Sequence, residues 1–356
     1  MKRYNKGEWS EFYAAIKILN DKQIPIVNRK LEPTGADIKV SQLLLKSIYS
    51  QDRVTYDISG DKIALVMDGQ SIKNLFLDKD DVAMLFNEIT DGEGRSFSVP
   101  IAEKIMSSLD LESIKANAAT KADLEAVASL SNNEGMKSTF EKIGFSIKSQ
   151  VGKSPTLLNT SKSTNFVFEV KDFHGDKNTI NNIGTRSKIM DRLEAIERRG
   201  GELKYKGMAN SIFEKNLRLI DLNMPEIVAQ MLYIFYTTRG KNKLSDIVPQ
   251  IINNLSFEIT LEELEHKVKR FISDIALGMM PATPWGGNSV NGGCIVVKKT
   301  GDLACLILSS KAEFDNFLYD NVSFDTPSSS AYNFGSLYDG ANGLCFNLNI
   351  QLRMFK

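Results

Sequence analysis

The chain has 356 residues with 44 basic and 44 acidic side chains, so its formal net charge is zero, and 42% of its residues are hydrophobic. This length favours two domains or one elaborated domain, and the zero charge argues against a protein that coats nucleic acid nonspecifically. The chain has two histidines, His174 and His266, which excludes a site built from several clustered histidines, such as that of a zinc protease.

The three cysteines, Cys294, Cys305 and Cys345, lie far apart and form no CxxC motif. This usage is typical of a reduced protein without disulfides or a cysteine-built zinc site. No apolar run approaches the length of a membrane span, and the first residues, MKRYNKGEWSE, lack the apolar segment of a signal peptide. We therefore expect a cytoplasmic protein with no membrane partner.

Apolar spacing and turn residues predict regular elements along the first half of the chain. In chain order they are a helix over 7–20, a hairpin of strands 53–59 and 62–67, helices from Asp80 and from Ser98, and short strands over 144–149 and 166–170. Residues 123–130 (DLEAVASL) fit either a strand or a helix.

The second half divides into a helical part and a β-rich part. The pattern is helical over about 185–278, where Thr260 and Glu263 form a capping box at one helix start. A hairpin across residues 300–302 follows, and residues 346–354 alternate between apolar and polar side chains, which predicts one final strand with a polar face. Together with the first half, this gives three predicted regions, 1–175, 176–280 and 281–356.

Residues 142–168 contain no acid but four lysines and eight hydroxyl side chains. Phosphate oxygens accept hydrogen bonds from both kinds of group, so this run predicts contact with a nucleic-acid backbone; the alternative is a solvated surface loop. The predicted backbone contacts are Lys153, Ser154, Thr156, Asn159, Thr160 and Lys162.

Two further segments offer side chains that reach base edges. The loop TPSSS supplies Thr326, Ser328 and Ser329 as candidate base contacts, although the same composition is typical of any turn-rich connection. Arg186, Lys188 and Arg192 have the chemistry to read guanines, and the alternative is a solvated basic helix face.

Asp123 and Lys148 are the candidate catalytic pair. If residues 123–130 and 144–149 pair as strands, the two side chains lie side by side, which is the minimum for magnesium-dependent phosphodiester hydrolysis: the acid binds the metal and the lysine stabilises charge on the phosphate. This is the logic of the PD-(D/E)xK nuclease core. Gln150 shares the face of Lys148 and is a candidate ligand of a metal-bound water or of phosphate. The alternative is that Asp123 caps an element and Lys148 lies at a strand edge.

The pattern departs from that core at Ser146, where a carboxylate is expected two residues before the lysine. Glu11 on the first helix is the leading candidate to supply the missing carboxylate as a second metal ligand beside Asp123, and Glu169 is the second candidate.

Seven sequence blocks, in the same order and spanning almost the whole chain, resemble the HpaII family of type II restriction endonucleases. They are KGEWSE (6–11), GFSIKSQVG (144–152), PTLLN (155–159), TNF (164–166), GMMPATPW (278–285), TPSSS (326–330) and LNIQLR (348–353). The resemblance implies a magnesium-dependent endonuclease that cuts double-stranded DNA at CCGG within a restriction–modification system, with a cognate DNA methyltransferase as its functional partner. We also expect a homodimer.

The combined prediction is an α/β (α+β) fold with a PD-(D/E)xK-like nuclease core in region 1–175, a helical insertion over 176–280 and a β-rich C-terminal part over 281–356 that recognises DNA. Two alternatives stay open. One is a repair nuclease of the same core without sequence specificity. The other is a DNA-binding protein whose core is inactive, which the serine at position 146 makes plausible.

Overall fold

The computed structural model describes residues 2–47, 49, 54–60, 62–116, 122–131, 137–287, 290–328, 332, 334–341 and 343–355. The chain divides into two compact units. Unit 1 comprises Met1–Pro155, Ala276–Gly278 and Asn288–Phe317, and unit 2 comprises Thr156–Ile275, Met279–Gly287 and Leu318–Lys356. The last of the three predicted regions, 281–356, contributes residues to both units. The boundaries of the two compact units therefore differ from those of the three predicted regions.

The mixed α/β composition predicted from the sequence is confirmed. The helices are α1 (Lys6–Asp21), α2 (Lys79–Asp91), α3 (Pro100–Ser108), α4 (Lys177–Asn181), α5 (Lys188–Glu197), α6 (Ser211–Ile220), α7 (Met224–Thr237), α8 (Leu244–Ile247), α9 (Leu261–Ala276) and α10 (Lys311–Asn321). The strands are β1 (Gln23–Val27), β2 (Pro33–Ser47), β3 (Val54–Asp57), β4 (Ile63–Met67), β5 (Gln70–Leu75), β6 (Leu111–Ala116), β7 (Leu124–Ser131), β8 (Lys137–Ser149), β9 (Thr156–Leu158), β10 (Asn165–Lys171), β11 (Glu202–Met208), β12 (Gly293–Val297), β13 (Leu303–Ile307), β14 (Val322–Phe324), β15 (Leu337–Gly340), β16 (Gly343–Asn349) and β17 (Leu352–Met354).

Helix α1 forms where the apolar spacing predicts it and is fixed at its start by a capping box. The Asn5 side chain accepts from the Glu8 backbone N–H, and the Glu8 carboxylate accepts from the Asn5 backbone N–H. Its apolar face is buried in the core of unit 1. Trp9 donates its indole N–H to the Phe97 carbonyl at 3.0 Å, and the buried Tyr13 hydroxyl also donates to a backbone carbonyl. These two bonds fix the rotation of α1 against the sheet.

The large sheet of unit 1 has the strand order β1-β13-β12-β8-β7-β2-β3-β4-β5, and β6 pairs with β2. Strands β2, β7 and β8 are antiparallel neighbours, and β12 runs parallel to β8 on its other side. The ambiguous segment 123–130 is therefore a strand, β7. The strand predicted over 144–149 is confirmed and is longer than expected, since β8 begins at residue 137.

Unit 2 contains two smaller sheets, with the orders β11-β10-β16-β15 and β14-β17-β9. The uniformly helical pattern predicted over 185–278 is wrong at β11, which pairs with β10 and whose side chains alternate between exposed and half-buried along most of its length. The single final strand predicted over 346–354 is also wrong. The chain leaves one sheet after Asn349 and enters the other at Leu352, so it forms β16 and β17.

The polar side chains predicted for that final strand do not form an exposed face, because Asn347 and Asn349 are buried and Gln351 and Arg353 are half-buried. The Asn349 side chain accepts from the Thr164 hydroxyl at 2.8 Å and donates to the Ser161 carbonyl and to the Asn165 side chain. The Thr160 hydroxyl donates to the carbonyl of Ile350. A buried amide is tolerated only when it is hydrogen-bonded, and this network supplies the partners. It ties the loop before β10 to the C-terminal strands.

Within the described ranges, no helix combines the length and the apolar character needed to cross a bilayer. The three cysteines, Cys294, Cys305 and Cys345, are free and buried. Burial raises the pKa of the Cys294 thiol to about 12, so this side chain stays protonated at neutral pH and is unreactive.

Candidate active site

Asp123 lies immediately before β7, and its carboxylate is held by the neighbouring strand. Its backbone N–H donates to the Phe145 carbonyl at 2.9 Å, which continues the pairing of β7 with β8. Its Oδ2 atom accepts from the Ile147 backbone N–H at 2.7 Å and from the Ser146 hydroxyl at 3.2 Å. Because both donors belong to β8, the carboxylate has a fixed orientation at the edge of the strand pair.

Lys148 lies beside this carboxylate, as the strand pairing predicts. Its Nζ is 3.8 Å from Asp123 Oδ2 and donates to the Ile147 carbonyl at 3.1 Å. The side chains of Lys148 and Asp123 are 18% and 29% exposed. They are therefore shielded enough for strong electrostatics and open enough to meet a substrate.

Glu11 on α1 and Asp123 line one small pocket of unit 1, together with apolar side chains that include Phe12, Ala15 and Leu45. The first helix thus brings a second carboxylate to the pocket of the predicted metal ligand, as the Glu11 hypothesis requires. Its role as a metal ligand stays a prediction.

The remaining predicted residues of this site lie in two places. Gln150 is half-buried just after β8, and its backbone N–H donates to the Val297 carbonyl at 2.9 Å. Glu169, the second candidate for the missing carboxylate, lies in β10 of unit 2 and accepts from Lys171 at 2.9 Å. That hydrogen bond lowers the pKa of the Glu169 carboxyl, so this side chain already has a cationic partner.

Sequence reasoning missed Glu125, an acid inside the apolar run of β7. Its carboxylate is buried and lies 3.1 Å from Nζ of Lys142 on β8. An acid among apolar strand residues was the available sequence signal of a buried ion pair, because a buried carboxylate needs a cationic or hydrogen-bonding partner.

The donor set at Asp123 suits a hard divalent cation. In the part of the chain that the structure describes, no group of three or more His, Cys, Asp or Glu side chains is close enough to hold a metal alone. Mg²⁺ does not require one, because it is usually bound by one or two carboxylates while water and substrate phosphate supply the other oxygens. Asp123 and Glu11, which share a pocket, fit this requirement.

The predicted backbone-contact loop separates into exposed and internally bonded side chains. Lys153, Asn159 and Lys162 are exposed, and Ser154 is half-buried. Thr160 is buried and its hydroxyl donates to a carbonyl of unit 2, so this arrangement does not favour its predicted DNA contact.

Thr156 begins β9 and is half-buried. Its hydroxyl accepts from the Arg353 guanidinium at 3.2 Å. It is therefore a poor DNA contact in this arrangement.

The second predicted DNA loop lies beside the start of α5. Thr326 and Ser328 are exposed and line a pocket of unit 2 with Arg186 and Lys188. Ser329 lies outside the described residues.

Arg192 does not belong to an exposed basic face. It is buried, and its guanidinium donates to the carbonyls of Asn181, Ile183 and Gly335 and to the Ser336 hydroxyl. The suggestion that Arg192 reads guanine is therefore wrong, because its donors are already used inside unit 2. Burial lowers the pKa of this side chain from its usual value.

The chain is similar to restriction endonucleases along almost its whole length. A model of the HpaII restriction endonuclease family matches residues 5–354. The type II restriction enzyme HpaII of Haemophilus parainfluenzae is 33% identical over 356 residues, which is 98% of this chain and 98% of that protein. No solved structure gives a significant match. The protein is therefore an enzyme of the type II restriction class, a site-specific deoxyribonuclease. It belongs to the HpaII restriction endonuclease family.

Proposed function

We propose that the protein cuts both strands of DNA at CCGG by magnesium-dependent hydrolysis of phosphodiester bonds. Its biological setting is a restriction–modification system in the cytoplasm, with a cognate DNA methyltransferase that protects the host sites. The family membership supports the class of substrate, and the arrangement of Asp123, Lys148 and Glu11 supports the chemistry.

The single observation that carries this proposal is that the carboxylate of Asp123, immediately before β7, lies 3.8 Å from the ammonium group of Lys148 on the neighbouring strand β8. Helix α1, the antiparallel strands β2, β7 and β8 and the parallel strand β12 together support a PD-(D/E)xK-like core. In that core the acid precedes one strand and the lysine lies on the next, as Asp123 and Lys148 do.

Five residues of unit 1 have roles in this mechanism. The Ile147 N–H and the Ser146 hydroxyl both donate to Oδ2 of Asp123, which leaves Oδ1 as the oxygen for the cation, with Glu11 as the second carboxylate. A Mg²⁺ ion bound there would polarise a phosphate oxygen of the DNA and lower the pKa of a water molecule. Lys148 places its positive charge where the reacting phosphate gains negative charge.

A homodimer follows from the symmetry of the proposed target. CCGG reads the same on both strands, so two copies of the chain related by a twofold axis would place one active site on each strand. The proposal therefore predicts a dimer on cognate DNA, to be measured by sedimentation with a duplex that carries one site.

The decisive experiment incubates the purified protein with phage DNA and Mg²⁺ and then sequences every fragment end. The proposal expects all ends at CCGG, none without divalent metal, and none with the matched variant Lys148→Ala. Ends at many unrelated sequences would support a nonspecific repair nuclease instead. A shift of DNA in gels without cutting would support an inactive core.

A further inference from the structure

A pocket of about 580 Å³ in unit 2 is lined by two segments that lie far apart in the sequence and by Tyr236 of α7. The first, residues 186–190, leads into α5, and the second, residues 326–328, follows β14. Arg186 and Thr326 are exposed, and Lys188 is half-buried. The pocket therefore presents two cationic side chains and a hydroxyl to solvent.

The charge of this pocket is one-sided. No acidic residue is among its described lining residues. The two carboxylates that adjoin these segments are both committed elsewhere: Asp191 accepts from Arg239, and Asp325 accepts from Arg353 at 2.6 Å. Arg186 therefore has no carboxylate partner in the described part of the chain, and neither does Lys188.

Two other pockets show that this imbalance is not general. One, in unit 1, is lined by Arg29 and Lys30 but also by Glu32 and Glu313. Another, in unit 2, combines basic side chains with three acids; its charged lining residues are Asp221, Glu262, Glu263, His266, Lys267 and Arg270. In both of these pockets the lining contains acids beside its basic side chains. The pocket at residues 186–190 and 326–328 has basic side chains and no acid among its described lining residues, so an anionic ligand would balance its charge.

The lining chemistry suits a backbone phosphate, and the comparison of CCGG and scrambled duplexes below separates this contact from the reading of a guanine edge. Arginine, lysine and hydroxyl side chains are the usual contacts of a DNA backbone phosphate. The described lining contains no Asn, Gln, Asp or Glu side chain, the groups that read adenine and cytosine. Ile189, Met190 and Pro327 are its apolar lining, and the half-buried Met190 suits contact with the face of a deoxyribose.

We propose that this pocket binds a phosphate of the DNA backbone, with Arg186 and Lys188 as its cationic contacts and the Thr326 hydroxyl as a hydrogen-bond donor. The inference rests on the proposed function, because it takes DNA as the substrate. It adds a binding site in unit 2 that is separate from the catalytic residues of unit 1 and that positions DNA without reading its sequence.

The test measures DNA binding by fluorescence anisotropy without divalent metal, so that no cleavage occurs. Two labelled duplexes are used, one with CCGG and one with the same bases scrambled, over a series of salt concentrations. Arg186→Ala and Lys188→Ala should each weaken binding to both duplexes by a similar factor, about tenfold, as expected for a lost charge-assisted hydrogen bond. Each should also reduce the slope of log affinity against log salt by about 1.

Arg198→Ala is the matched control, because Arg198 ends the same helix, is exposed and is paired with Glu194. It should leave the affinity and the salt slope unchanged, and Arg186→Lys should retain most of the slope. Unchanged binding by the Arg186 and Lys188 variants would overturn the inference. So would a loss confined to the CCGG duplex, since that indicates base reading.

Cleavage at CCGG by the wild-type protein is scored separately. A wild-type protein that binds DNA but does not cut it refutes the proposed function. In that case a reduced salt slope in the variants still supports the phosphate site. If Lys188→Ala unfolds, Lys188→Gln gives the same readout with the aliphatic stem of the side chain largely retained.

Discussion

Replacing Asp123 with asparagine separates the chemical role of this residue from its structural role. The amide has the same shape, and its oxygen can still accept from the Ile147 N–H that now lies 2.7 Å from Oδ2. The change removes the ion pair with Lys148, which is 3.8 Å long and partly exposed, so the loss in unfolding free energy should stay below about 1 kcal/mol.

The catalytic loss should be much larger than this structural cost. An amide is a poor ligand for a divalent cation, because hard cations prefer carboxylate oxygens. We expect the cleavage rate to fall by at least about 10²–10³, the scale of one lost electrostatic contact at a reacting centre, or roughly 2.7–4 kcal/mol of activation free energy. The expected change in activation free energy is therefore clearly larger than the expected change in unfolding free energy, and experiment can distinguish the two.

The assay titrates Mg²⁺ against the cleavage rate of a duplex with one CCGG site, and urea unfolding measures stability in parallel. Glu125→Gln is the matched control, because Glu125 is also an acid of this strand region paired with a lysine. It should cut at close to the wild-type rate. Normal cutting by Asp123→Asn at ordinary Mg²⁺ would refute the assignment and make Asp123 a structural residue.

Three further predictions test neighbouring parts of the structure. Lys148→Ala should lower cleavage by about 10²–10³ and leave DNA binding near normal, so wild-type turnover would contradict its role. Glu11→Gln should also reduce cleavage steeply and weaken Mg²⁺ binding in calorimetry, and adding Ser146→Glu should partly restore both; unchanged metal binding would move the second ligand elsewhere. Arg192→Ala should lower the free energy of unfolding by about 3 kcal/mol in urea, because it removes the donor of one buried and two partly buried carbonyls. Stability equal to wild type would show that water replaces that donor.

Local patterns in the sequence predicted the elements that local forces determine. The apolar stripe predicted helix α1, and the structure adds a capping box at Asn5 that fixes its start. The capping box at Thr260 is also confirmed, since Thr260 and Glu263 exchange hydrogen bonds at the start of α9. Capping boxes and apolar spacing involve residues within one or two turns of the same helix. They can therefore be recognised without knowledge of the tertiary structure.

The features that the sequence did not predict depend on distant parts of the chain. The split between β16 and β17 follows from a buried network in which Asn349 bonds to residues near position 164, and no periodicity encodes such partners. Arg192 is a charged residue that is nevertheless buried, because the end of α4 and the segment before β15 surround its guanidinium with carbonyls. The same limit applies to the pocket that joins residues 186–190 and 326–328.

The serine at position 146 changes how the proposed metal site is built. A glutamate there would place a second carboxylate within hydrogen-bonding distance of Asp123, and without a bound cation two like charges so close disfavour ionisation of one of them. Ser146 instead donates a hydrogen bond to Oδ2 of Asp123 and fixes its direction. In the proposed site the second carboxylate is Glu11 of α1, a helix whose rotation is set by the buried Trp9 and Tyr13. The site therefore depends on the packing of a helix as well as on two paired strands, so substitutions that loosen α1 should impair metal binding before they unfold the sheet.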